Sequence, residues 1–299
     1  MNKTKNTAIK TSETERNYVN ILGIKVLSSS ASSLLVGVGD FISRSNKFYI
    51  VTPNPELILA SLSDKELKES LNSADFSIPD GVGVVMAGRF LGLPVPENKL
   101  SKIFVTFFQG LKVGLSVFFD KKWLINDFEN IKGREFFLDL AKLAARKNWK
   151  IFLLGGLDNE AELAAHKLKN RYRNLKIESD KGPTLDKNAE PISEKDKKVE
   201  KQVINKINKF NPQLLFVAFG NPKQEIWIKK NLSRLNIGGA MAVGGTFRYI
   251  AGHSKLPPKW MAGIGLEWLY RLITEPMRFR RIFNAFPTFP LKIWMNRLR

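Results

Sequence analysis

The densest set of ligand-competent polar groups lies in the run Phe216-Val-Ala-Phe-Gly-Asn-Pro-Lys-Gln-Glu225. Leu214 to Phe219 reads as a buried strand, Gly220 and Asn221-Pro222 turn the chain, and Lys223-Gln224-Glu225 opens a helix carrying Ile226, Trp227 and Leu232. Ligands of open α/β sheets bind at the carboxyl ends of parallel strands. A proline in the first helical turn and the unpaired N–H groups behind it favour an anion, and an amide such as Gln224 offers both a donor and an acceptor. Other strand ends supply more. Phe48 to Thr52 delivers Thr52 and Asn54, and Ala74 to Ile78 ends at Pro79-Asp80-Gly81. Asp80 is the carboxylate at a strand end, where it can serve as a general base or as the N-cap of the next helix. Gly155-Gly156 follows strand Lys150 to Leu154; without side chains it lets a ligand approach the backbone, and before a helix it suits a diphosphate.

These groups share a cleft only if the chain folds as a parallel sheet, and the hydrophobic pattern predicts one. Strand-like segments at 21–26, 48–52, 74–78, 150–154, 176–178, 214–219 and 240–243 alternate with helix-like segments at 30–45, 56–72, 82–91, 133–148, 160–171 and 199–210. Strands separated by helices imply a Rossmann-like α/β fold, its mostly parallel sheet covered by helices on both faces. The core is read as 19–251, preceded by a disordered polar arm over 1–18 and followed by a basic, aromatic appendage over 252–299. Residues 181–198 are polar and highly charged and read as a solvated loop leading into a helix.

Two segments break the rhythm. The apolar insertion 100–130 contains Ile103 to Phe119, which carries a single charge, Lys112. Its large residues recur at helical spacing. Such a helix would lie in a membrane interface, dip into it, or pack on the domain. The second segment, Trp268 to Arg299, interleaves arginines with Trp268, Tyr270, Phe279, Phe283, Phe286, Phe289 and Trp294. Arginine among aromatics suits an anionic membrane surface, and single-stranded nucleic acid is the rival partner.

Composition narrows the chemistry. The chain has 299 residues, a formal charge of +20, no cysteine and two histidines, His166 and His253. The charge predicts an anionic partner: nucleic acid, anionic lipid or a phosphorylated substrate. Absent cysteines exclude disulfides and thiolate metal sites. The sequence has no Asp-x-Asp, no phosphate-binding Gly-x-x-x-x-Gly-Lys-Ser/Thr loop and no serine nucleophile elbow, and Gly37-Val38-Gly39 lacks the third glycine of a dinucleotide fingerprint.

The ordered set Val51-Thr-Pro-Asn-Pro-Glu56, Pro79-Asp-Gly-Val-Gly83, Gly133-Arg134, Phe152-Leu-Leu-Gly-Gly156, Gly220-Asn-Pro-Lys-Gln-Glu225, Gly244-Gly-Thr-Phe247, Gly265-Leu-Glu-Trp-Leu-Tyr-Arg271 and Glu275-Pro-Met-Arg278 resembles the WecG/TagA/CpsF glycosyltransferases over most of residues 20–285. The resemblance implies an inverting, metal-independent and cofactor-free transfer of a hexose, N-acetylmannosamine in the best-known branch. The donor is a UDP-sugar. The acceptor is a polyprenyl-diphosphate-linked sugar at the cytoplasmic face of the bacterial membrane, in cell-surface polysaccharide or teichoic-acid synthesis. It gives Asp80 the role of base, and Thr52, Asn54 and Gln224 the positioning of sugars. Arg271, Arg278 and Arg281 of the appendage would bind diphosphate and steady the leaving UDP. Asn221, Lys223, Gly155 and Gly156 complete the expected substrate-binding set, and a homo-oligomer is left open. Two departures stand out: Arg248 replaces the aspartate that commonly follows Gly-Gly-x-Phe, and the insertion 100–130 replaces a short link. The alternative from another class is a basic nucleic-acid- or membrane-binding protein that keeps a Rossmann-like scaffold without transferase activity; the converging polar strand ends argue against it.

Overall fold

The computed structural model describes residues 17–126, 128–254, 257–258, 261, 267–274 and 284–299. Its centre is a six-stranded parallel sheet of β3 (Phe48–Val51), β4 (Phe76–Ser77), β5 (Lys150–Gly155), β6 (Lys176–Asp180), β7 (Leu214–Ala218) and β8 (Gly239–Ala242), in the spatial order β4-β3-β8-β7-β5-β6. Successive side chains of a strand point to opposite faces, and the core divides accordingly. Tyr49, Val51, Phe152, Leu154, Leu215 and Val217 face one buried cluster. Phe48, Ile50, Ile151, Leu153, Leu214 and Phe216 face the other. Strands buried on both faces read as continuous apolar runs, which is why β3, β5 and β7 are visible in the sequence.

The helices covering the first face include α2 (Pro55–Ala60), α3 (Lys65–Asn72), α4 (Val82–Gly92), α9 (Glu194–Phe210) and α10 (Lys223–Asn231). The second face carries α1 (Ala31–Ser43), α7 (Gly133–Lys147), α8 (Glu160–Arg171) and α11 (Thr246–Ala251). From β5 the chain moves outward to β6, whereas from β7 it moves the opposite way to β8. The sheet therefore has a topological switch point between β5 and β7, and ligands of open α/β sheets favour such crevices.

Four local readings change. The strand at 21–26 is a hairpin, β1 (Tyr18–Ile21) and β2 (Ile24–Leu27), closed by Leu22-Gly23. Both turn residues have positive φ, and the Asn20 side chain accepts from the Gly23 N–H at 2.8 Å. Tyr18 already belongs to β1, so the arm read over 1–18 ends earlier; residues 1–16 lie outside the described residues. The helix at 56–72 is two helices, because Asp64 caps α3 by accepting from Leu67 N–H at 2.9 Å. The charged stretch before residue 199 is helical from Glu194, capped by Ser193.

The insertion forms α5 (Lys99–Phe119) and α6 (Lys121–Ile125). The end of the chain forms α12 (Glu267–Thr274) and, after a turn at Asn284–Thr288, α13 (Phe289–Leu298). α13 folds back on α2, α4 and α5. Phe289 and Ile293 are buried in the first-face cluster, so this part of the stretch read as an appendage contributes to the core.

Candidate active site

The C-terminal edge of the sheet brings Asp80 to the start of α7. Backbone pairing fixes the loop: Ile78 N–H donates to the Val51 carbonyl at 2.8 Å, and Asp80 N–H to the Pro53 carbonyl at 3.1 Å. Asp80 Oδ1 accepts from the Gly133 N–H, the first residue of α7, at 3.3 Å. A helix N-terminus favours a negative charge, and this contact orients the carboxylate. Gly133 also abuts Thr52: a Cβ on Gly133 would stand 3.1 Å from Thr52 Cγ2. The ends of β3 and β4 and the beginning of α7 thus form one knot around Asp80.

Asn54 lies on the same edge and caps α2, its Oδ1 accepting from Leu57 N–H at 2.9 Å. That bond uses the oxygen and leaves the amide N–H₂ as the group to offer a ligand. Arg134 follows Gly133 and holds its guanidinium 5.2 Å from the centre of the Tyr249 ring on α11. A half-buried arginine beside the Asp80 knot had no separate signal in the sequence beyond its place in Gly133-Arg134. Arg248, on the same helix as Tyr249, is exposed.

Gln224 has a different place from the one its chemistry invites. It is 1% exposed. Its Nε2 donates to Asn221 Oδ1 at 2.7 Å and to Glu225 Oε1 at 2.8 Å, and its Oε1 accepts from Gly244 N–H at 3.0 Å. The side chain clamps the loop after β7 to the loop after β8, and Asn221 is drawn into the same network. Beside it, Glu225 is fully buried and its carboxyl is pushed up to about 7 by desolvation. Its Oε2 has no hydrogen-bond partner among the described residues. Lys223 Nζ donates to the Leu185 carbonyl at 2.9 Å, toward the loop between β6 and α9.

Gly155 and Gly156 serve chain packing. A Cβ on Gly155 would lie 2.8 Å from the Ala218 carbonyl carbon, and Gly156 N–H donates to the Ala218 carbonyl at 2.9 Å. The α8 N-terminus behind them is filled by Glu160, whose Oε2 accepts from Leu157 N–H at 3.0 Å. His253 approaches the same Glu160 at 3.8 Å. The loops elsewhere are less crowded: a Cβ on Gly81, Gly220 or Gly245 would meet nothing within 4 Å among the described residues. These are the loops after β4, β7 and β8, and Asp80 immediately precedes the first of them. Arg278 and Arg281 lie outside the described residues, as does the side chain of Arg271, whose backbone belongs to α12.

A family model for the glycosyl transferase WecG/TagA/CpsF family matches residues 19–119 and 111–299. The chain belongs to this family. It is a glycosyltransferase. Similar proteins include the N-acetylglucosaminyldiphosphoundecaprenol N-acetyl-beta-D-mannosaminyltransferase of Bacillus subtilis (strain 168), 28% identical over 254 residues, covering 85% of this chain and 81% of the relative. The enzyme of that name from Staphylococcus aureus (strain NCTC 8325 / PS 47) is 26% identical over 277 residues, covering 92% and 91%. The one from Bacillus spizizenii is 26% identical over 244 residues, covering 82% and 78%. The two stretches of the family match meet and overlap at 111–119, within α5 of the transferase.

Proposed function

We propose that this transferase moves a hexose, N-acetylmannosamine or a close relative, from a UDP-sugar to a polyprenyl-diphosphate-linked N-acetylglucosamine at the cytoplasmic face of the bacterial membrane. The observation that carries the reading is Asp80, held by the Gly133 N–H at the C-terminal edge of a parallel sheet, next to glycine loops uncrowded by the described residues. The relatives' printed names support the acceptor and the N-acetylmannosaminyl group.

In this mechanism an acceptor hydroxyl oxygen attacks the anomeric carbon of the donor. The bond from that carbon to the UDP oxygen breaks, UDP leaves with the electron pair, and the hydroxyl proton passes to Asp80. In-line attack inverts the configuration. Asp80 is placed to take the proton as a carboxylate oriented by the Gly133 N–H at the start of α7. Thr52 and the Asn54 amide stand on the same edge to position sugar hydroxyls. Gln224 acts through the loops it clamps, holding the turns after β7 and β8 in register. Arg271, Arg278 and Arg281 are assigned the developing charge on UDP, since guanidinium forks bind phosphate oxygens bidentately. Arginine in that role, a sequence without Asp-x-Asp or cysteine, and only two histidines support transfer that needs no divalent cation.

The test is a panel of UDP-hexoses and UDP-N-acetylhexosamines offered with a short-chain polyprenyl-diphosphate-N-acetylglucosamine and read by mass spectrometry. One added hexose unit on the lipid acceptor is the expected product. A transferase that leaves this acceptor unmodified with every donor, yet glycosylates a water-soluble one, would refute the reading.

A further inference from the structure

α5 is built inside out. A surface helix normally turns its apolar stripe to the core and its polar face to water. Here the buried residues are Thr106, Val113 and Ser116, with Gln109 and Gly110 half-buried beside them, a stripe of largely small or polar residues. Phe104, Phe107, Phe108, Leu111, Phe118 and Phe119 on the other side are all more than half exposed. Most polar groups of that stripe are hydrogen-bonded, while Gln109 Oε1 is buried without a partner among the described residues. Trp294 Nε1 of α13 donates to Thr106 Oγ1 at 3.1 Å, Gln109 Nε2 to the Pro94 carbonyl at 2.7 Å, and Ser116 Oγ to the Val113 carbonyl at 2.7 Å. Lys102 Nζ reaches the Leu298 carbonyl at 3.4 Å, and Lys112 lies 4.6 Å from the Trp123 ring centre.

We infer that the outer face of α5 is a lipid-docking surface, lying in the plane of one leaflet of an anionic bilayer with its phenylalanines among the acyl chains. Three observations choose this occupant. The face is rimmed by base: residues 97–125 hold five lysines against Glu97 and Asp120. Lys99 and Lys102 stand near one end of α5, and Lys121 and Lys122 follow the other. The adjoining α13 with Arg299 adds Lys292 and Arg299 and no acid, its Arg297 being turned inward onto the Phe90 ring and the Leu93 carbonyl. Apolar side chains bordered by lysines match an interfacial helix on anionic lipid. Second, pairing this face with a second copy would oppose two basic rims, which repel. Third, α5 has the length and composition of a membrane span, but its contacts with α4, α6 and α13 include Lys102 to Leu298, Thr106 to Trp294, Gly110 beside Phe90 and Lys112 over Trp123. Those contacts hold it flat against the body of the protein, so it lies on the membrane rather than across it.

The inference deepens the membrane part of the proposed function. It also places the chemistry: Asp80 immediately precedes α4, and α4 packs on α5. α4 has 11 residues, a length of ~16 Å, so the base stands within about one α4 length of the α4–α5 contact.

The experiment uses the full chain, vesicles of phosphatidylglycerol and phosphatidylcholine, and no sugar substrate, so it can fail independently of the catalytic reading. The triple variant Phe104→Ser, Phe107→Ser, Phe108→Ser changes exposed residues and should keep the parent's circular dichroism and melting temperature. Its vesicle partition should fall by at least ~100-fold, from the apolar area withdrawn from lipid. Equal partition by a folded triple variant would overturn the proposal, as would loss of self-association with vesicle binding intact. A second measurement does not depend on that variant. The chain has no cysteine, so Leu111→Cys takes a single environment-sensitive dye. Nitroxide lipids labelled high in the acyl chain should quench it, and no quenching would overturn the proposal. Ser101→Cys and Lys121→Cys should both react with an impermeant maleimide added outside the vesicles. Protection of one of them would replace the in-plane helix by a spanning one.

Discussion

Glu225→Gln should make the protein more stable at alkaline pH and leave it much closer to the parent at acid pH. The carboxyl of Glu225 is buried, has one oxygen without a partner among the described residues, and is pushed from 4.5 to about 7 by desolvation. Between those two values the folded state binds more protons than the unfolded one, so stability falls as pH rises through the window. Linkage between 4.5 and about 7 gives a loss of roughly 1 kcal/mol at pH 5 and about 3 kcal/mol at pH 8. Glutamine has nearly the same shape, keeps an oxygen for Gln224 Nε2, and does not titrate. Any constant offset from the exchange of oxygen for N–H₂ cancels when the two proteins are compared across pH. The stability gap between variant and parent should therefore widen in the variant's favour by about 2 kcal/mol from pH 5 to pH 8. Urea unfolding at a series of pH values measures this directly, the slope with denaturant serving to check that both proteins unfold alike. Parallel stability curves for parent and variant over that range would refute the reasoning, because they would mean that Glu225 ionises in the folded state as easily as in water.

Other outcomes follow from single contacts. Gln224→Leu should destabilise by roughly 3 kcal/mol, since it strands the Gly244 N–H in a buried place and removes the donor to Asn221 and Glu225; a loss below about 0.5 kcal/mol in thermal unfolding would remove it as the clamp between the two loops. Gly239→Ala would set a Cβ 2.3 Å from the Phe48 ring, and overpacking of that kind costs about 1–3 kcal/mol, so unchanged denaturant midpoints would contradict the close approach of β8 to β3. Turnover should survive EDTA; loss on chelation with recovery on Mg²⁺ or Mn²⁺ would transfer the stabilisation of the leaving UDP from arginine to a cation.

The sheet was legible in the sequence because its strands are buried on both faces. Phe48 to Val51 and Leu214 to Ala218 are apolar at every position, and no solvent-facing alternation hides them. The position of the candidate residues was legible for the same reason: once the ends of β3, β4 and β7 are known, Thr52, Asn54, Asp80 and Asn221 must stand on the C-terminal edge of the sheet. What stayed hidden depends on partners distant in the chain. Gln224 reads as a ligand-facing amide until Gly244, twenty residues later, takes its oxygen. Gly155-Gly156 reads as a phosphate loop, and its close packing against Ala218 and Glu160 could not be read from the dipeptide. In α5, periodicity identifies which residues share a face, but it does not say which face turns inward; that is decided by Trp294, Pro94 and Phe90, which wait for the small and polar side. Likewise Phe289 and Ile293 sit in a stretch whose charge speaks of a surface, and only the return of α13 across α2, α4 and α5 buries them.

The central claim is that Asp80 takes the acceptor proton, and Asp80→Asn tests it most directly. The asparagine keeps an oxygen to accept the Gly133 N–H, so the knot of β3, β4 and α7 stays closed while the base is gone. Transfer from UDP-sugar to lipid-linked N-acetylglucosamine should be followed for both proteins at saturating donor, with melting temperatures recorded alongside. The account predicts a melting temperature close to the parent's and a kcat lower by about 10²–10⁴-fold, the usual share of general base catalysis. A folded Asp80→Asn protein that transfers sugar at the parent's rate would contradict it.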